Sequence, residues 1–253
     1  MESVRPTISA VVITRNEGKR IEECLRHLTW VDEIIVVDNG STDQTVLLAH
    51  KYGSIVVNSP VQDFSQLRMI GKNKTKSDWI IYVDADEEVT DSLRDEIRSI
   101  ISSLHDDSTP AAYYVLRRNF YLGHEWPYRD RMIRLFRKKI LRNWVGRVHE
   151  TALVDGKIGV LQEVLTHRTH RLLEEMIAKT NEWSVIEANL RFASGHPPVV
   201  WWRFLRVMVS AFTESFISQG GFRVGAVGWI ESIYQAFSMF ITYAKLWELQ
   251  RNT

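Results

Sequence analysis

Ile8-Ser9-Ala10-Val11-Val12-Ile13 is a short apolar run that stops at the polar turn Thr14-Arg15-Asn16-Glu17. A helical pattern follows, with Ile21, Leu25 and Leu28 on one face. Residues 33–37 form a second apolar run ending at Asp38, residues 54–58 a third, and residues 79–83 a fourth that ends in Asp84-Ala85-Asp86. Leu93, Ile97, Ile100, Ile101 and Leu104 then recur at helical spacing. Short apolar strands alternating with amphipathic helices predict a Rossmann-like α/β sheet covered on both faces. Open sheets of this kind bind ligands at the carboxyl ends of their strands. Three such ends carry polar chemistry here: residues 14–17, 38–43 and 84–86.

In the second of these, Ser41 and Gln44 have the spacing of a capping box, which would satisfy the first amides of the next helix. Asp38 has no such explanation. A carboxylate at that strand end suits the N–H of a pyrimidine or a ribose hydroxyl. In the third, strand alternation puts Asp84 and Asp86 on one side with Ala85 opposite. Two convergent carboxylates repel unless a proton or cation intervenes. A hard divalent ion that bridges to phosphate oxygens resolves the repulsion and neutralises a diphosphate leaving group. Glu87 and Glu88 fit the first turn of the following helix, where the helix dipole favours acids.

The 253 residues suffice for one large domain with an appendage. Apolar residues at 45% and charged residues at 25% exclude a disordered chain, and a formal net charge of +1 gives no global signal for nucleic acid. Locally, ten Lys or Arg face only Glu125 and Asp130 across residues 117–147, a stretch suited to phosphates or to a solvated surface. The single cysteine, Cys24, excludes an internal disulfide framework and suits a reducing compartment. Residues 1–7 lack the apolar core of a signal peptide, which places the expected catalytic part in the cytoplasm.

Val12-Ile13-Thr14-Arg15-Asn16-Glu17, Ile35-Val36-Val37-Asp38-Asn39-Gly40-Ser41-Thr42-Asp43 and Tyr82-Val83-Asp84-Ala85-Asp86 together resemble family 2 glycosyltransferases. The resemblance implies a GT-A fold, a nucleotide-diphosphate sugar as donor and inversion at the anomeric carbon. Further on, residues 117–123 and 133–137, Val148-His149-Glu150 and residues 243–248 resemble the lipopolysaccharide-core glucosyltransferase subgroup. By this resemblance Asp38 contacts the nucleotide base, while Thr14, Asn16 and Glu17 frame the ribose and uracil. Asp86 becomes the principal ligand of a Mn2+ or Mg2+ ion, and Asp84 binds ribose or metal. Arg68 and Asn73 match donor-contacting positions, although a solvated helix face shared with Lys72, Lys74 and Lys76 accounts for them equally well.

Inverting transfer needs a general base for the acceptor hydroxyl. The carboxylates available in the second half are Glu125, Asp130, Glu150 and Asp155. Asp155-Gly156 reads as a hairpin turn between residues 152–154 and 158–160, and Asp130 as an ion-pair partner of its neighbouring arginines. Glu150 is therefore the candidate base, with His149 orienting it or binding donor phosphate. His167, or else His170, is placed to complete the metal shell, since imidazole is a common manganese or zinc ligand.

Residues 171–194 read as a long helix closed by Gly195. The aromatic-rich stretch opening at Trp201-Trp202 and the apolar residues 224–244, interrupted by Glu231 and Gln235, then fit three arrangements. These are a membrane span, an interfacial helix pair, or a hairpin packed on the catalytic domain or in a homo-oligomer interface. The expected organisation is a GT-A catalytic domain over 1–170 and a helical, membrane-associating region over 171–253. The leading expectation is a hexosyltransferase working from a UDP-sugar on a lipid-linked glycan such as lipopolysaccharide core, on the inner face of the cell membrane. A polyprenyl-phosphate sugar synthase and an inactive nucleotide-binding scaffold are the alternatives.

Overall fold

All seven residues of β1 (Ile8–Thr14) are buried, and their side chains divide between two cores. Ala10 and Val12 pack with Ile21, Cys24, Leu25 and Leu28 from and just after α1 (Ile21–Arg26); Val11 and Ile13 pack with Leu67 on the opposite face. A strand covered on both faces has no solvent side, which is why the run lacks the polar alternation of an open sheet. The computed structural model describes residues 5–61, 63–103, 110–146, 150–169 and 172–252. It divides into two compact units, Met1–Arg118 with Asp130–His167, and Asn119–Arg129 with Arg168–Thr253.

In the first unit β2 (Glu33–Asp38), α2 (Thr45–Lys51), β3 (Ile55–Asn58), α3 (Phe64–Lys74) and β4 (Trp79–Asp84) follow β1 and α1. β1 pairs in parallel with β2 and with β4, and β2 in parallel with β3. The chain continues through β5 (Glu87–Val89), α4 (Asp91–Ser103), β6 (Ala112–Tyr121), β7 (His124–Arg137), β8 (Leu141–Val145), β9 (Thr151–Val154) and β10 (Ile158–Thr169). The main sheet is eight-stranded and mixed, in the order β3-β2-β1-β4-β7-β6-β10-β5, with β7 antiparallel to β4. Helix α3 lies so close to the sheet that a Cβ on Gly71 would stand 2.3 Å from Val11 Cγ1.

Two local expectations are corrected. Residues 152–154 and 158–160 do not form a hairpin, because β9 pairs with β8 in a separate two-stranded sheet while β10 joins the main one. The Asp155-Gly156 turn hands the chain from one sheet to the other, with Asp155 ion-paired to Arg142. Ser41 and Gln44 do not form a capping box either. Ser41 turns back to Asp38, and Asp43 instead accepts the Thr45 N–H at 3.0 Å at the start of α2.

The second unit contains α5 (Leu173–Ala193), α6 (Trp201–Thr213) and α7 (Gly225–Arg251). Gly195, at φ +71°, ends the α5 segment as its sequence predicts. A π-helical turn, Glu214–Ser218, and a 3-10 turn, Gly221–Val224, join α6 to α7. Ala188, Val199, Tyr243 and Leu246 form the core of this unit. Among the described residues no helix is long and apolar enough to cross a membrane.

Candidate active site

The carboxyl ends of β2, β1 and β4 lie side by side, with Thr14 in register with Asp38 and Ile13 with Asp84. The two loops leaving β1 and β2 are laced together. Asn16, at φ +54°, donates its N–H to Ser41 Oγ at 2.8 Å and accepts the Thr42 N–H on Oδ1 at 2.8 Å. The Glu17 N–H donates to Thr45 Oγ1 and the Gly18 N–H to Asp43 Oδ2, both at 2.9 Å, while the Glu17 carboxylate pairs with Arg20 at 2.8 Å. Asp38 is buried and accepts the N–H groups of Gly40 and Ser41 at 3.1 and 2.9 Å, together with the Ser41 hydroxyl. Thr14 differs from these neighbours. Its Oγ1 is buried and has no hydrogen-bond partner among the described residues.

Asp84 and Asp86 are not carried by one continuous strand. Strand β4 ends at Asp84, and Ala85-Asp86 is a turn before β5, so the alternation expected of one continuous strand is broken there. Asp84 faces arginine: Arg134 donates to its two oxygens at 2.5 and 3.3 Å, and Arg68 reaches Oδ1 at 3.5 Å. Burial alone would raise the Asp84 pKa, but the two guanidiniums outweigh it and hold the carboxyl well below its ordinary range. Asp86 lies with Oδ2 3.3 Å from His167 Nε2, both side chains largely buried. The charge repulsion that the sequence assigns to a metal is thus relieved at Asp84 by arginine.

Glu87 is a residue the sequence reading misplaces. It begins β5 rather than the first turn of α4, and it is fully buried. Arg134 donates to its Oε1 at 2.8 Å, Arg117 at 3.2 Å, and the Asp84 N–H to its Oε2 at 2.9 Å. Arg117 also bridges to Asp130 at 2.7 Å, so the ion pair expected of Asp130 forms with a different arginine from its sequence neighbours. Arg117 and Arg134, two of the ten bases over 117–147, are therefore spent on internal carboxylates. A legible signal was present: Arg134 interrupts the run Met132-Ile133-Arg134-Leu135-Phe136, and an arginine buried in such a strand needs an acid.

Arg68 is buried on α3 rather than on a solvated face, whereas Asn73 on the same helix is exposed. The Arg68 guanidinium lies over the rings of Trp144 and Tyr82, 4.9 and 5.4 Å from their centroids. It meets the Glu150 carboxylate at 2.6 Å, and its Nη1 is buried without a partner. His149 and His170 lie outside the described residues. Cys24 is buried, with Sγ 3.5 Å from the Asp84 carbonyl oxygen. Burial first, and the charges of Glu87 and Asp86 second, push its thiol pKa up.

Among the described residues no three His, Cys, Asp or Glu side chains stand together as a complete metal cage. Asp86 with His167 fits a partial one. A hard ion is commonly held by one or two carboxylates, its remaining sites going to substrate phosphates and water.

Comparison with known proteins agrees with this architecture. Residues 9–193 match the profile of glycosyl transferase family 2. An uncharacterized glycosyltransferase of Rickettsia bellii (strain RML369-C) is 30% identical over 98% of this chain and 88% of its own length. The lipopolysaccharide core biosynthesis glycosyltransferase LpsC of Rhizobium meliloti (strain 1021) is 26% identical over 95% of this chain and 92% of its own. Among solved structures, the mannosyltransferase PcManGT from Pyrobaculum calidifontis, in complex with GDP-Man and Mn2+, superposes with a TM-score of 0.56. It is 13% identical and the match covers 97% of this chain and 88% of that one, a likeness of fold alone. The fold is GT-A-like, a mixed α/β sheet with C-terminal helices.

Proposed function

Because the chain belongs to glycosyl transferase family 2, we propose that it moves a hexose from a nucleotide-diphosphate sugar, a UDP-sugar, to a hydroxyl of a lipid-linked glycan, inverting the anomeric centre. The observation that carries this reading is that Thr14 Oγ1 at the end of β1 and, from α3, Arg68 Nη1 are buried with no hydrogen-bond partner among the described residues, beside Arg134 Nε and Trp144 Nε1 in the same state. Buried polar atoms are nearly always satisfied, and a bound ligand would satisfy Thr14 Oγ1 and Arg68 Nη1. A glycan of the lipopolysaccharide-core class is the acceptor favoured by the likeness to LpsC.

Thr14 and Asp38 meet the nucleoside, on a loop whose shape Asn16 and Glu17 fix. Arg68 meets the diphosphate. Asp86 and His167 would hold a Mn2+ or Mg2+ ion, which would neutralise charge on the leaving diphosphate. Asp84, engaged by Arg134 through both oxygens, holds the strand end in place instead of the ion. Glu150, aligned by Arg68, takes the acceptor proton. The acceptor oxygen bonds to the anomeric carbon from the side opposite the bond to diphosphate. That bond breaks, and the nucleoside diphosphate departs.

The test is the thermal midpoint of the purified chain with uridine diphosphate, with and without Mn2+, beside Asp86→Ala. Ligand at a hundred times its dissociation constant stabilises by about 2.7 kcal/mol. A Mn2+-dependent rise that Asp86→Ala abolishes is expected. No rise with uridine, guanosine, cytidine or thymidine diphosphates would remove the donor site from this proposal.

A further inference from the structure

Helix α7 buries several polar side chains beside Ala236 and Leu246 and leaves large apolar ones exposed. Its inward side chains include Glu231, Ser232, Thr242 and Tyr243, with Glu231 only 1% exposed and accepting a hydrogen bond from Gln235 Nε2 at 2.7 Å. Ser232 meets Ser215 at 3.0 Å, and Tyr234 shares its hydroxyl with Thr180 at 2.6 Å. The outward stripe is Trp229, Ile230, Ile233, Phe237, Phe240 and Trp247, with Trp229 53% and Ile233 56% exposed. No charged residue interrupts that stripe from Trp229 to Phe240. On α6, Trp201 at 75% exposure, Trp202, Leu205 and Val209 also face outward. A helix facing water carries polar side chains on its outer face, and large apolar side chains exposed in this number mark an interaction site.

The charges on these helices point to what covers it. Residues 201–251 hold five bases, Arg203, Arg206, Arg223, Lys245 and Arg251, against three acids, Glu214, Glu231 and Glu248, of which Glu231 is sequestered. Three arginines lie over exposed aromatics on these helices and the turn between them. Arg203 stands 5.5 Å from the Trp202 ring, Arg223 5.3 Å from Phe222 and Arg251 4.7 Å from Trp247. Aromatic rings at headgroup depth with cations beside them, and aliphatic side chains between them, are the make-up of a helix lying in the plane of an anionic interface.

We infer that the outward face of α6 and α7 docks in the surface of an anionic phospholipid bilayer, lying within it without crossing. The inference stands apart from the donor-site proposal, which is tested without lipid.

The experiment is co-sedimentation of the full chain with vesicles of phosphatidylcholine alone and of phosphatidylcholine mixed with phosphatidylglycerol. Binding to the mixed vesicles, weakened by salt, is expected. Arg203→Gln with Arg206→Gln and Arg223→Gln should lower partitioning to the mixed vesicles about a hundredfold, at about fivefold per arginine. Ile233→Asn with Phe237→Asn, both on the exposed stripe, should abolish binding to either vesicle while far-UV circular dichroism is unchanged. Quenching of the wild-type tryptophan fluorescence by brominated lipid tests the same contact without any substitution. Absence of both sedimentation and quenching overturns the proposal. So does a dimer in sedimentation velocity that Ile233→Asn dissociates, since a second copy would then be the occupant.

Discussion

Replacing Arg134 by methionine asks whether arginine holds the strand-end carboxylates together. Arg134 is buried, and Glu87, its nearest acid on β5, is fully so. Methionine fills much of the stem's volume but removes the 2.8 Å contact to Glu87 and both contacts to Asp84. Glu87 then keeps Arg117 at 3.2 Å and one amide at 2.9 Å, while Asp84 keeps Arg68 at 3.5 Å. Breaking a buried ion pair from one side costs about 3–5 kcal/mol, because a charge is left without compensation. The surviving Arg117 contact argues for the lower end, about 3 kcal/mol. With a urea dependence of about 2 kcal/mol per molar, the unfolding midpoint falls by about 1.5 M. Urea titrations followed by far-UV circular dichroism on Arg134→Met, Glu87→Gln and the double variant measure this. The double variant should recover part of the loss, since glutamine removes the stranded charge. A single variant within about 0.5 kcal/mol of wild type, or effects that simply add, would refute the reasoning.

Glu150→Gln preserves the shape of the Arg68 contact but cannot take a proton, so turnover on a sugar hydroxyl should fall about 10²–10⁴-fold, measured at a temperature where a urea titration shows the variant folded despite the weakened ion pair with Arg68. Unchanged turnover would remove Glu150 as the base and favour an already ionised phosphate nucleophile. Gly71→Ala places a methyl group against Val11 between α3 and the sheet and should cost about 1–3 kcal/mol in a urea titration; a neutral variant would mean that α3 shifts freely. Asp84 and Asp43 both titrate below their ordinary values. At each, burial opposes the shift, but the Arg134 and Arg68 guanidiniums prevail at Asp84, and the Thr45 hydroxyl with the Thr45 and Gly18 amides at Asp43. Depressed carboxylates add stability that is fully present above their unfolded value of about 4 and lost as pH falls through the folded value. The thermal midpoint should therefore drop on acidification below that value, and Asp43→Asn should lessen the drop; an unchanged slope in the variant would clear Asp43 of the effect.

The amino-acid sequence by itself determined the parallel core. Residues 10–13 and 79–83 are apolar throughout because both of their faces are covered, and that pattern is local. The three polar strand ends were legible for the same reason, since a strand's end is marked in its own residues. What each end touches was not legible. Asp84 meets Arg134 fifty residues on, Asp86 meets His167, and Arg68 meets Glu150, and no spacing rule reaches across such distances. The basic stretch over 117–147 looked like a surface for phosphate until folding turned Arg117 and Arg134 onto Glu87. Helix α7 shows the same division. Its polar and apolar residues can be read along the chain, but only packing against α5 and α6 sends Glu231 inward and Ile233 outward, because a helix shows its inner side only to the neighbours that cover it.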